Sequence, residues 1–212
     1  MNDAKFAKVL VMVNGFIPLT LLGIDAFQND LGANPVNHAI HTTGSLALIF
    51  FLLSLSVTPL QKLTRWNVLV ATRRPLGLFA FLYAVIHLGI YVALDRALSV
   101  SSALSEIAIR RYLQVGALAF VLLVPLAITS TDGMIRRLGS KRWKALHRFA
   151  YVAAVLAVVH YYLQVKADVR MPLAFAAVLA ILLLSRIVFF YLPPRRGSGK
   201  PRAASVPTSV PS

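Results

Sequence analysis

Long apolar runs alternate with short polar, cation-rich connections along nearly the whole chain, at roughly residues 6–24, 42–60, 75–94, 112–130, 148–165 and 172–192. Each approaches the roughly 20 residues that a helix needs to cross about 30 Å of hydrocarbon. The pattern predicts an all-α integral membrane bundle of six transmembrane helices. Pro18, Pro75, Pro125 and Pro172 fall inside or at the start of runs, where membrane helices tolerate proline because neighbouring groups satisfy the freed carbonyls. Lys5 and Lys8 precede the first run as in a signal peptide. However, the residues after Ile24 are Asp25, Ala26, Phe27 and Gln28, without a small-residue cleavage site, so the first helix is expected to be retained. No internal sequence repeat is visible, and the connections are too short for another domain. Residues 1–192 read as one transmembrane unit, and the Pro-, Ser-, Gly- and Arg-rich residues 193–212 as a disordered cytoplasmic tail.

Composition agrees with this reading. Of 212 residues, 58% are apolar and 14% charged, whereas soluble domains carry about 25% charged residues. The net charge of +15, from 22 Lys and Arg against 7 Asp and Glu, is explained by its distribution without invoking nucleic acid. With the amino terminus in the cytoplasm, the cytoplasmic segments hold 16 cations: Lys5, Lys8, Lys62, Arg65, Arg73, Arg74, Arg136, Arg137, Lys141, Arg142, Lys144, Arg148, Arg195, Arg196, Lys200 and Arg202. The other side holds 5, namely Arg96, Arg110, Arg111, Lys166 and Arg170, and Arg186 lies within the last run. The positive-inside rule therefore puts both termini in the cytoplasm. Without cysteine the chain has no disulfide, thiolate metal site, cysteine-ligated iron–sulfur cluster or covalent haem attachment.

Ionisable groups at membrane depth are costly and usually functional, which directs attention to five histidines. His87 lies 12 residues beyond Pro75, about 18 Å along a helix, in the outer half of span three. His160, near the end of the parallel span five, lies at similar depth. Two neutral imidazoles on different helices are natural axial ligands for a non-covalent b-type haem, leaving a six-coordinate iron suited to electron transfer. The simpler alternative is hydrogen bonding of each histidine across helices. His147 opens span five, 13 residues before His160, about 20 Å away and rotated by roughly 140° on a straight helix. The two cannot share a cofactor, and a common face would require bending or unwinding. The equal-depth positions on span three hold Arg73 and Arg74, which suit propionates, flavin phosphate or lipid headgroups rather than iron. A second haem therefore lacks an obvious second ligand. His38 and His41 precede span two on the outer side. Their spacing allows a surface metal site, but no third ligand is near; His41 could instead meet a quinone headgroup or a haem propionate. Phe79, Phe81, Tyr83 and Tyr91 read as core packing. No G-x-G-x-x-G loop or soluble nicotinamide-binding segment is present.

The order Arg73-Arg74-Pro75-Leu76-Gly77-Leu78, His87, Thr129-Ser130-Thr131, Leu138-Gly139, Trp143, Leu146-His147 and His160-Tyr161, with His41-Thr42-Thr43-Gly44 and Ser56-Val57-Thr58-Pro59-Leu60 before it, resembles the MsrQ (YedZ) family. These are haem-binding membrane subunits of the MsrPQ protein-methionine-sulfoxide reductase system, within the ferric-reductase-like transmembrane group. The resemblance runs from about Asn34 through span six. It implies a multi-pass bacterial inner-membrane protein with haem b, one or two per chain, and an association with FMN. Such a subunit passes electrons from the quinone pool or a cytoplasmic flavin reductase to a periplasmic molybdopterin partner, MsrP, which reduces methionine sulfoxide in oxidised proteins. It also implies His87, His147 and His160 as haem-iron ligand candidates, in a subunit that is not catalytic alone. The related NADPH oxidases use two histidine pairs; here Arg73 and Arg74 occupy the fourth place. Those arginines and the basic stretch 136–144 are electrostatic candidates for FMN. The competing readings are a stand-alone ferric or cupric reductase and a haem-free small transporter.

Overall fold

The computed structural model describes residues 3–191, all of them in helices, turns or irregular connections. The expectation for residues 193–212 lies outside that range. Among the described residues nine α-helices follow in order: α1 (Asp3–Phe27), α2 (Pro35–Thr64), α3 (Arg73–Ile90), α4 (Val100–Ile109), α5 (Arg111–Ile128), α6 (Asp132–Leu138), α7 (Ser140–Leu146), α8 (Phe149–Gln164) and α9 (Arg170–Tyr191). A 3₁₀ turn at Asn67–Thr72 leads into α3, and a π turn at Tyr91–Asp95 ends it. Six continuous segments are long and apolar enough to span a membrane: Asp3–Phe27, Pro35–Thr64, Asn67–Asp95, Arg111–Ile128, Ser140–Gln164 and Arg170–Phe189. These are the six predicted runs, most of them longer than the apolar pattern indicates. The described chain therefore starts and finishes at one end of the bundle, called here the terminal end.

Local chemistry sets several boundaries. Asn34 accepts a hydrogen bond from the Asn37 amide, and Pro35 opens α2, a favourable pairing of N-cap and first-turn proline. As a result His38 and His41 lie inside α2, correcting the expectation that they precede the span. Arg65, with φ of 61°, closes α2 by donating its N–H to the Gln61 carbonyl. Arg73 and Arg74 form the first turn of α3. Span five is broken at His147 and Arg148, between α7 and α8. His147 and His160 nevertheless line different cavities. The short helices α4 and α6 had no signature in the apolar runs; Ser99 and Thr131 cap them.

The principal packing pairs are α2 with α3 and α5 with α8, and α9 lies against both α8 and α2. Leu48, Phe50, Phe51, Leu52 and Leu55 of α2 meet Phe79, Ala80 and Tyr83 of α3 and Ala150, Ala153, Ala154 and Val158 of α8 in one core. The fully buried Ala153 and Ala154 are small enough to let helix backbones approach, as membrane packing requires. Outward residues such as Leu21, Val121 and Ile181 remain more than half exposed, a surface matched to hydrocarbon.

Helix α1 is fastened at Gly15, whose carbonyl accepts a 2.8 Å hydrogen bond from the Tyr83 hydroxyl. Phe79 stacks edge-on against Phe16 at 5.1 Å, directly over the glycine. A Cβ at position 15 would lie 2.4 Å from the Phe79 ring. Overpacking of this kind costs about 1–3 kcal/mol. Gly15→Ala is therefore expected to lower the unfolding midpoint of the purified protein; an unchanged midpoint would contradict this packing.

Candidate functional site

α3 and α8 run in the same direction, which carries His87 and His160 to the end of the bundle opposite the termini. There they border a chamber of about 480 Å³, lined also by His41, Gly44, Tyr91, Tyr112, Gly116 and Gln164. The two imidazole centres are 6.2 Å apart with ring planes at 83°. His87 Nδ1 is 2.9 Å from the Ile40 carbonyl oxygen, and His160 Nδ1 is 2.7 Å from that of Tyr112. A carbonyl only accepts, so each Nδ1 carries the hydrogen and each Nε2 keeps a free lone pair. The same backbone hydrogen bond orients metal-binding histidines generally and raises their basicity.

The two histidine seats repeat one design that the sequence had not disclosed. In each, the accepting carbonyl lies four residues before a glycine on the facing helix: Ile40 before Gly44 on α2, and Tyr112 before Gly116 on α5. A Cβ on Gly44 would sit 3.0 Å from the His87 ring, and one on Gly116 2.7 Å from His160 Nδ1. Each glycine is the space into which an imidazole leans to reach its carbonyl. The α2–α3 and α5–α8 pairs thus present matching histidines from opposite walls.

This donor set fits a b-type haem. Two metal–nitrogen bonds of about 2 Å, plus about 1.1 Å from each nitrogen to its ring centre, separate trans imidazole centres by about 6 Å, close to the observed spacing. The chamber volume falls within the roughly 300–1,000 Å³ range of ligand sites. Two wall groups, Tyr91 Oη and Arg96 Nε, are buried without hydrogen-bond partners. They are donors that a carboxylate-bearing ligand would satisfy. Tyr91 sits on the π turn, and its hydroxyl corrects the reading of this side chain as packing alone. Nearby, Arg96 pairs with Asp95 at 2.9 Å and Glu106 at 3.4 Å. His41 has its Nε2 3.3 Å from Gln164 Nε2 and so accepts from the amide; its ring lines the chamber with that nitrogen engaged. His38 is exposed, and among the described residues no three metal-ligating side chains cluster.

At the terminal end a smaller cavity of about 80 Å³ is lined by Arg73, Arg74, His147, Trp143, Ser54 and Ser130, among others. The expected co-location of His147 with the two arginines is therefore observed. His147 differs from the other pair: its ring stacks on Trp143 at 4.0 Å, and its Nε2 lies 3.1 Å from Thr129 Oγ1. Because that hydroxyl donates to the Pro125 carbonyl, it accepts from Nε2–H. The nitrogen that is free on His87 and His160 is occupied here. Arg74 pairs with Asp132, and this hydrogen bond holds the Asp132 carboxyl below its ordinary range.

The glycine seats generate a graded expectation. Gly116→Ala places its methyl inside the contact distance of His160 and should lower the affinity of the chamber for an added iron porphyrin by roughly tenfold or more, the scale of losing a ligand's orienting bond. Gly44→Ala should cost less. The check is a porphyrin titration of the stripped protein followed by absorption, and equal affinities for both variants and wild type would contradict the seat.

A family model described as ferric reductase like transmembrane component matches residues 42–158. Proteins named protein-methionine-sulfoxide reductase heme-binding subunit MsrQ are similar over most of their length. The one from Rhodospirillum rubrum is 46% identical over 184 residues, 87% of this chain and 88% of the relative. That from Herminiimonas arsenicoxydans is 41% identical over 182 residues, 85% and 84%, and that from Caulobacter vibrioides 40% over 178 residues, 84% and 85%. The chain therefore belongs to the ferric reductase-like transmembrane family and, within it, to the MsrQ group.

Proposed function

We propose that this protein is the membrane b-type cytochrome subunit of a methionine-sulfoxide reductase system, with His87 and His160 as the axial ligands of one haem b. The observation that carries the reading is the imidazole pair, 6.2 Å apart with both Nδ1 atoms engaged by carbonyls and both residues lining a common chamber. The names of the relatives, heme-binding subunit of a protein-methionine-sulfoxide reductase, support it. Bound there, a haem would supply one-electron transfer. His87 and His160 would hold it: Ile40 and Tyr112 fix their tautomers, and Gly44 and Gly116 leave room for the rings.

The concentration of Lys and Arg at the terminal end supports both termini in the cytoplasm of a bacterial inner-membrane protein. The haem chamber then opens toward the periplasm, where the electron acceptor is a molybdopterin subunit, MsrP, that repairs oxidised periplasmic proteins. Electrons arrive from the quinone pool or from a cytoplasmic flavin reductase, with FMN on the cytoplasmic side near Arg73 and Arg74. The engaged Nε2 of His147 and the small cavity beside it favour one haem over two.

A pyridine haemochrome assay on the purified full-length chain tests the assignment. His87→Ala and His160→Ala should each lose haem b, whereas His147→Ala and His41→Ala should keep it. Haem retained in both of the first two variants would overturn the ligation. Reoxidation of the reduced cytochrome by MsrP, and not by ferric or cupric chelates, is expected; the reverse would favour the stand-alone reductase.

A further inference from the structure

We propose that Tyr91 and Arg96, at the outer rim of the large chamber, form a carboxylate seat that takes a propionate of the haem. The inference rests on the assignment of haem b to His87 and His160, and it adds what fixes the polar edge of the porphyrin.

The π turn at the end of α3 creates the seat. Tyr91 follows His87 by four residues and so stands about 6 Å nearer the outer end. Had the α-helix continued, Arg96 would lie about 140° around the axis from Tyr91. Instead the Arg96 backbone N–H donates to the Tyr91 carbonyl at 3.0 Å, the five-residue bond of a π turn. The Arg96 guanidinium carbon thereby comes to 5.3 Å from the centre of the Tyr91 ring. Both residues line the chamber.

Ion pairs then fix the guanidinium. Its Nη2 lies 2.9 Å from Asp95 and its Nη1 3.4 Å from Glu106, which Arg110 also grips. With both terminal nitrogens committed, Nε is left over, and it is buried without a hydrogen-bond partner, as is the Tyr91 hydroxyl. Two unmet buried donors on neighbouring side chains are a costly arrangement that calls for an acceptor. The chamber wall does not supply it. Asp95, the carboxylate of the lining, is paired with Arg96 itself, and His41 is matched to Gln164. A ligand carboxylate has two oxygens and can accept from both donors. Arg96 and Arg110 offset Asp95 and Glu106 in charge, so the seat holds its ligand by directed hydrogen bonds rather than by net charge.

The test compares iron protoporphyrin IX with its dimethyl ester, in which both propionates are capped, by absorption titration of the full-length chain freed of haem. Wild type should bind the free acid about tenfold more tightly than the ester, the scale of a charge-assisted hydrogen bond. Tyr91→Phe and Arg96→Gln should each lose most of that preference while keeping the low-spin spectrum of two histidine ligands. Arg170→Gln, exposed at the same end of the bundle, should keep the preference. Tyr91→Phe leaves every ion pair in place and decides the matter if Arg96→Gln does not fold. Equal binding of the two porphyrins by wild type, with the low-spin spectrum intact, overturns the seat alone, as does an undiminished preference in Tyr91→Phe. A wild type that gives a low-spin spectrum with neither porphyrin overturns the histidine ligation and the seat with it.

Discussion

The architecture depends on two hydrogen bonds in which a helix carbonyl accepts from a histidine Nδ1 on the neighbouring span. A buried imidazole without a partner would be costly and free to turn; with one nitrogen tied to the backbone, the other is aimed. The carbonyls are reachable only because Gly44 and Gly116 carry no side chain, which in turn brings α2 against α3 and α5 against α8. Helix packing and ligand orientation are therefore one constraint.

The two ends of the bundle have opposite chemistry. Around His87 and His160 the chamber is large and mostly apolar, with buried donors at its rim. Around His147 the cavity is small and ringed by cations, and its imidazole is held by Thr129 and Trp143. Phe51 and Leu123 line both cavities, so the two sites are separated by little more than a layer of side chains.

Much of this was legible in the sequence, because membrane solvation leaves a strong one-dimensional record. The six spans follow from hydrocarbon thickness, and the depth match of His87 with His160 follows from rise per residue. The helix ends were less visible: α2 begins early because Asn34 and Pro35 cap it, which placed His41 in the chamber wall. The break at His147 carries no proline or glycine signature. The seats were hidden for a different reason. Gly44 and Gly116 matter through a close approach between helices distant in sequence, and a glycine in an apolar run gives no sign of what leans against it. The spacing of four residues from Ile40 to Gly44 and from Tyr112 to Gly116 is the one signal that could have disclosed them.

The most direct test of the central claim is the low-temperature electron paramagnetic resonance spectrum of the oxidised, purified full-length protein. Two imidazoles bound to one iron with planes at 83° predict a low-spin ferric signal of the strongly anisotropic type given by perpendicular ligand planes. A high-spin ferric signal, or the rhombic low-spin signal of parallel imidazole planes, would contradict ligation by His87 and His160 as they are held here.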